Sequence, residues 1–187
     1  QDRSSAASDV YKRQQFTKFY NADSIEPIEF YGNCYNGNAD LYTTMSYLPH
    51  VDTFPGADKD INPLNDYAFN LNVTKLDKVK TAFYSFNGKK SVCDWTPDDY
   101  DDHDRVRDRH KKIKAKDWKK LSNENFQNFQ LEYIANIEYN SLILYPSHYW
   151  HSVYIKEDWF TDTDRVTFTG FFETKTTSSK RKKLGFG

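Results

Sequence analysis

From Gln15 onward, short apolar runs alternate with turn signals, the pattern of a chain built from strands. Ile25 to Tyr31 predicts a first strand, closed by Gly32-Asn33. Asn36-Gly37-Asn38 predicts a turn and Ala39 to Leu48 a second strand, which Pro49 ends just before His50 because proline cannot donate to a ladder. Phe54-Pro55-Gly56 through Pro63-Leu64-Asn65-Asp66 reads as loop. Tyr67 to Val73 and Thr81 to Phe86 predict two further strands, the latter stopped by the tight-turn pair Asn87-Gly88.

The same pattern resumes later in the chain. Leu131, Tyr133, Ala135 and Ile137 alternate with Glu132, Ile134, Asn136 and Glu138, and Ser141 to Tyr145 is a nearly continuous apolar strand. His151 to Lys156 follows a turn at Pro146-Ser147. The loop Glu157 to Asp164 leads into Arg165 to Glu173, where Val166, Phe168 and Gly170 alternate with Thr167, Thr169 and Phe171. Roughly eight short strands with few helices predict an all-β sandwich or small barrel, a form that binds ligands in its mouth.

Asp94 to Lys120 breaks the pattern. It opens acidic, around Asp98 to Asp104, and turns basic from Arg105 to Lys120. Its apolar residues, Val106, Ile113, Ala115 and Trp118, are too sparse for a buried helix. The charge order suits a helix dipole, so the segment (about 94–120) reads as an exposed helical insertion, with a substrate-binding lid as the functional alternative. His103 and His110 fall inside it and are expected to face solvent.

Both ends of the 187-residue chain need separate treatment. Ser4 to Gln14 reads Ser-Ser-Ala-Ala-Ser-Asp-Val-Tyr-Lys-Arg-Gln, which looks like the in-frame translation of a transposon-end sequencing adaptor, a contaminant of environmental assemblies. The single methionine is Met45, so residues 1–14 are set aside as an artefact of a truncated reading frame, with a Ser-rich leader as the alternative. A signal peptide or a first strand could have been lost upstream. Residues 176–187, with Lys180-Arg181-Lys182-Lys183, read as a disordered basic tail that is either solvated or able to touch nucleic acid. That leaves 15–175 as one domain, long enough to bury a core.

Composition narrows the class only a little. A net charge of -1 gives no general pull toward nucleic acid or acidic lipid. Nothing approaches the apolar length of a membrane span. The two cysteines, Cys34 and Cys93, are too few for a disulfide scaffold and suit a reducing cytoplasm.

The chemistry lies in the histidines. In Leu48-Pro49-His50-Val51-Asp52, residues two apart on an extended segment point the same way, so His50 and Asp52 can converge on one ion. A second imidazole would complete a facial triad that leaves positions open on Fe(II). Tyr145-Pro146-Ser147-His148-Tyr149-Trp150-His151 supplies one, with His151 preferred because it opens a strand and His148 the alternative in the turn. Arg165 stands across an expected hairpin from His151, where a permanently charged fork could bind a carboxylate, and Thr167 points the same way two residues on. The plain alternative is an exposed arginine beside Asp162 and Asp164. Tyr47, Phe83, Tyr149 and Trp150 are the aromatics expected near the mouth, where they could stack on a ring or serve as core.

Taken together, His50-Val51-Asp52, the strand Thr81-Ala82-Phe83-Tyr84, the run Asn140 to Pro146, His151-Ser152 and Arg165-Val166-Thr167 resemble the 2-oxoglutarate/Fe(II) oxygenase superfamily. Within its prolyl-hydroxylase-like branch they are similar to small domains of phage and marine bacterial sequences. The resemblance spans roughly residues 40–173. It implies a double-stranded β-helix, or jelly roll, with a charged helical insertion. It also implies Fe(II) held by His50, Asp52 and His151, and 2-oxoglutarate anchored by Arg165. O2 is the oxidant and ascorbate an accessory reductant. The implied reaction couples decarboxylation of 2-oxoglutarate to oxidation, by default hydroxylation, of a protein side chain, nucleobase or small metabolite.

Asn70 stands where prolyl hydroxylases carry a tyrosine that helps hold the cosubstrate, and the usual Gly-Gly before the Thr-x-Phe strand is replaced by Val79-Lys80. Retention of Asp52 argues against the halogenating relatives, which have a small residue there. Two rivals from other classes are a cupin-like metalloenzyme without 2-oxoglutarate and a non-enzymatic binding or structural module of a phage particle.

Overall fold

Period-two patterning does generate strands, and they assemble into two antiparallel sheets of a jelly-roll-like, all-β architecture. The computed structural model describes residues 24–35, 48–52, 66–110, 126, 128–156 and 159–175. One sheet runs in the order β1 (Ser24–Tyr35), β7 (Arg165–Lys175), β2 (Asp66–Asn72), β5 (Leu142–Pro146). The other runs β4 (Phe129–Asn136), β3 (Lys80–Phe86), β6 (His151–Tyr154). The expected adaptor segment 1–14, residues 39–47 of the strand expected over Ala39 to Leu48, and the tail 176–187 lie outside the described residues. No helix among the described residues is long and apolar enough to cross a membrane.

Three expectations need correcting. Gly32-Asn33 does not close the first strand: β1 continues to Tyr35, paired with β7 from end to end apart from a register shift between Pro27 and Glu29. A side chain at Gly32 would press on the Phe168 ring, 3.1 Å from where its Cβ would stand, so the glycine fits a close approach instead of a turn. The turn expected at Asn87-Gly88 after β3 is present, with φ values of 49° and 79° that match a tight hairpin connection. The second correction concerns Arg165. β6 and β7 belong to different sheets, so their connection is a crossover and not a hairpin. Arg165 therefore enters the site from the wall that His151 does not occupy.

The third correction is His103: the insertion's helix is mostly exposed, as expected, but one face packs inward. This helix, α1 (Pro97–His110), is anchored to the core. Val106 is buried, and His103 packs its ring against Trp150 and Trp95 at 5.1 and 5.2 Å instead of facing solvent. The His110 side chain and residues 111–125 lie outside the described residues. Trp150, expected near a mouth, is a core residue at the centre of this cluster, with Phe129 at 5.1 Å and Phe86 at 6.1 Å. The few apolar residues of the helix suffice because aromatic rings, each burying a large area, do most of the packing.

The start of α1 is fixed by the Asp99 carboxylate, which reaches back to Thr96. Asp99 accepts from the Thr96 amide at 2.7 Å and from the Thr96 hydroxyl at 2.6 Å, and it pairs with Lys89 from the β3 turn. Lys89 and then Thr96 hold the Asp99 carboxyl well below the usual carboxylate range. A depressed folded value means that the stabilisation is complete above the unfolded value of about 4 and is lost as pH falls through the folded one. Asp99→Asn is expected to lower stability by about 1–2 kcal/mol at pH 7. The difference from wild type should shrink in strong acid, as read from urea midpoints at the two pH values.

Candidate metal centre

His50, Asp52 and His151 are brought together by backbone pairing. The His50 amide donates to the His151 carbonyl at 2.9 Å, and the His151 amide returns the bond to the His50 carbonyl at the same distance. The Asp52 amide donates to the Ser147 carbonyl at 2.9 Å. Residue pairs in an antiparallel bridge present their side chains on one face, so the two imidazoles meet with ring centroids 4.5 Å apart. Asp52, two residues on from His50, points the same way. Its carboxylate lies 3.4 Å from His151 Nε2 and 4.0 Å from His50 Nε2. One ligand atom from each of the three residues lies within 4.8 Å of the others.

Hydrogen bonds fix which nitrogen of each ring is available. His50 Nδ1 donates to the Leu48 carbonyl at 2.7 Å, and His151 Nδ1 donates to the Tyr149 carbonyl at 2.9 Å. A carbonyl can only accept, so both protons sit on Nδ1 and both Nε2 lone pairs face Asp52. Burial drives both histidines down to about 4, and for His50 the neighbouring His151 adds to the effect. They are neutral at physiological pH. Burial also lifts Asp52 to about 6, against a smaller opposing pull from His50. Two neutral imidazoles and one desolvated carboxylate form a donor set whose charge a divalent cation would compensate. Metal–ligand bonds of about 2.1 Å set neighbouring ligands about 3 Å apart, so the triad fits an ion with small side-chain movements.

These three residues open onto a cavity of about 190 Å³ lined from both sheets. Arg165, Thr167 and Asn70 also line it. Arg165 is 3% exposed. Its Nη1 donates to the Thr167 hydroxyl at 3.1 Å, while its Nε has no hydrogen-bond partner among the described residues. Among the described residues no carboxylate comes within ion-pairing distance of it. Burial lowers its pKa to about 10, leaving it a cation in the interior. Such a charge is costly unless an anion joins it.

The inward face of the β1-β7-β2-β5 sheet is unusually polar. Arg165, Thr167 and Thr169 of β7 alternate with Val166 and Phe168, and the polar set is the buried one. Phe30, Phe69 and Phe168 gather on the opposite face. Sequence reasoning missed Tyr31, Asn33, Tyr35, Tyr145 and Thr169 as cavity residues. Tyr145 was hidden in an apolar run and Asn33 in an apparent turn. The one usable signal was register, since Tyr35 and Asn33 pair with Arg165 and Thr167. His148, the alternative ligand, is held at Nδ1 by the Ser91 hydroxyl at 2.8 Å and is outside the triad. Of the expected mouth aromatics, Phe83 lies beside the centre, 6.3 Å from the His151 ring, and Tyr149 packs on His148 at 5.1 Å. Tyr47 is outside the described residues.

No known protein family matches the chain, and no curated protein matches it in sequence. Among solved structures it is similar to an N-substituted L-amino acid dioxygenase from Burkholderia ambifaria AMMD, with 13% identity and a TM-score of 0.43 over 81% of this chain. The match covers 54% of that protein, so this chain spans about half its length. At that identity and TM-score the likeness bears on neither the reaction nor its substrate.

Proposed function

We propose that this protein is an Fe(II)- and 2-oxoglutarate-dependent dioxygenase, by default a hydroxylase. One observation carries the reading: a His-Asp-His donor set and a buried guanidinium with no carboxylate partner among the described residues line the same cavity. Iron, 2-oxoglutarate and O2 supply the oxidative chemistry when bound, with succinate and CO2 as the cosubstrate's products.

The chain's own residues bind and orient. His50, Asp52 and His151 hold the metal from one side, and the Leu48 and Tyr149 carbonyls keep each Nε2 turned toward it. Arg165, with Thr167 aligned by Nη1, neutralises the distal carboxylate of the cosubstrate. Burial of His151, Arg165 and Thr167 limits the water that could quench an oxidant. The compartment proposed is the cytoplasm, where two cysteines in a chain of this size stay reduced.

The test is turnover of purified protein with Fe(II), ascorbate and 2-oxoglutarate, followed as O2-dependent succinate, first alone and then with candidate substrate pools. Succinate above the metal-free control is the expected result. Metal uptake without succinate in any pool would leave a cupin-like metalloenzyme that does not use 2-oxoglutarate. A protein that binds no divalent metal would be a binding module.

A further inference from the structure

Five polar side chains on the cavity wall form a single hydrogen-bonded row with a direction. The Tyr35 hydroxyl donates to Asn33 Oδ1 at 3.1 Å, and Asn33 Nδ2 donates to the Thr169 hydroxyl at 3.0 Å. The Thr169 hydroxyl donates to Asn70 Oδ1 at 2.7 Å, and Asn70 Nδ2 donates to the Tyr145 hydroxyl at 3.1 Å. All five line the cavity. Each hydroxyl has one proton to give, so direction matters. At the end of the row Tyr145 receives a bond and keeps its own proton, for which no acceptor is present among the described residues. Tyr145 is 5% exposed, and its hydroxyl lines the cavity.

We infer that the Tyr145 hydroxyl is a specificity-determining donor of the cavity, giving its proton to the same ligand carboxylate that Arg165 holds. This rests on the reading of the cavity as a 2-oxoglutarate site. Two donors lining the same cavity then converge on one anion: Arg165 Nε, which has no partner among the described residues, and the Tyr145 O–H.

Asn70 acquires a different part from the one its place in the sequence suggested. Its Oδ1 and one amide proton are engaged within the row, so it acts as a positioning residue that keeps the phenol proton pointed away from itself. The phenol missing at position 70 is supplied by the adjacent strand, where Tyr145 pairs with Ala68, two residues away. If both amides turned over, the row would run backwards and Tyr145 would give its proton to Asn70. A carboxylate beside Arg165 favours the direction found in the structure.

The test is calorimetric titration of the Mn(II)-loaded protein, a redox-inert stand-in, with 2-oxoglutarate and with 2-oxopentanoate, which has the same chain length but no distal carboxylate. Tyr145→Phe keeps the ring and removes only the hydroxyl. The expected result is 2-oxoglutarate binding weakened about 10- to 100-fold, the size of a lost hydrogen bond to a charged group, with 2-oxopentanoate binding unchanged. Equal affinity of wild type and variant for 2-oxoglutarate overturns the inference and leaves the proposed function standing. An equal loss for both ligands also overturns it, because the phenol would then be only structural. A wild-type protein that binds Mn(II) but not 2-oxoglutarate removes the functional reading itself.

Discussion

Arg165→Met is expected to make the ligand-free protein more stable while abolishing useful affinity for 2-oxoglutarate. In the free protein the guanidinium is buried without a carboxylate among the described residues, and only Thr167 accepts from it. The effective penalty for burying an unpaired charge is several kcal/mol, whereas leaving the Thr167 hydroxyl without a donor costs about 1 kcal/mol. The first effect wins, so a flexible apolar side chain of similar length should raise stability by about 1–3 kcal/mol, or a few degrees in Tm. The same change removes a desolvated charge partner from the ligand. That costs about 2–5 kcal/mol, roughly 30-fold to several thousand-fold in Kd. Thermal unfolding without ligand and 2-oxoglutarate titration on Mn(II)-loaded protein read the two effects separately. A less stable variant would mean that Arg165 is held by an anion of the protein itself, and the ligand site would lose its anchor.

The second large effect is at the metal. Asp52→Asn keeps shape and volume but leaves two neutral imidazoles and an amide, with no charge to balance a divalent ion. Disturbing a group that merely supports a metal ligand commonly costs 10–100-fold in affinity, so loss of the anionic ligand should exceed about 100-fold. His148→Ala is the useful contrast. It removes a histidine three residues from His151 that is bonded to Ser91 and is no part of the triad, so metal content should stay at the wild-type level. Metal analysis after dialysis against Fe(II) or Mn(II) compares the two. Should His148→Ala empty the protein while Asp52→Asn does not, the assignment of the ligands is wrong.

Much of the fold could be read from residue pattern because strand formation is local. Alternation marked β2, β3, β4 and β7 within a residue or two, and Asn87-Gly88 marked its turn, since period and turn chemistry act over a few residues. His50 and Asp52 could be paired for the same reason: the geometry of an extended segment alone puts them on one side. The errors came where distance along the chain hid proximity. His103 looked solvated because its helix is charged, yet its neighbours are Trp95 and Trp150, brought there by the sheet. Arg165 looked like a hairpin partner of His151 but reaches the cavity from the opposing sheet.

The sequence by itself determined the strands, the His-x-Asp pair and the residue types able to bind an ion and a carboxylate. Tertiary structure decided which histidine joins the pair, which face of β7 is inward and polar, and that Tyr145 stands beside Asn70. Those facts depend on sheet register and on which sheet each strand joins. They are set by burial and pairing summed over the whole domain, and no short stretch of chain contains them.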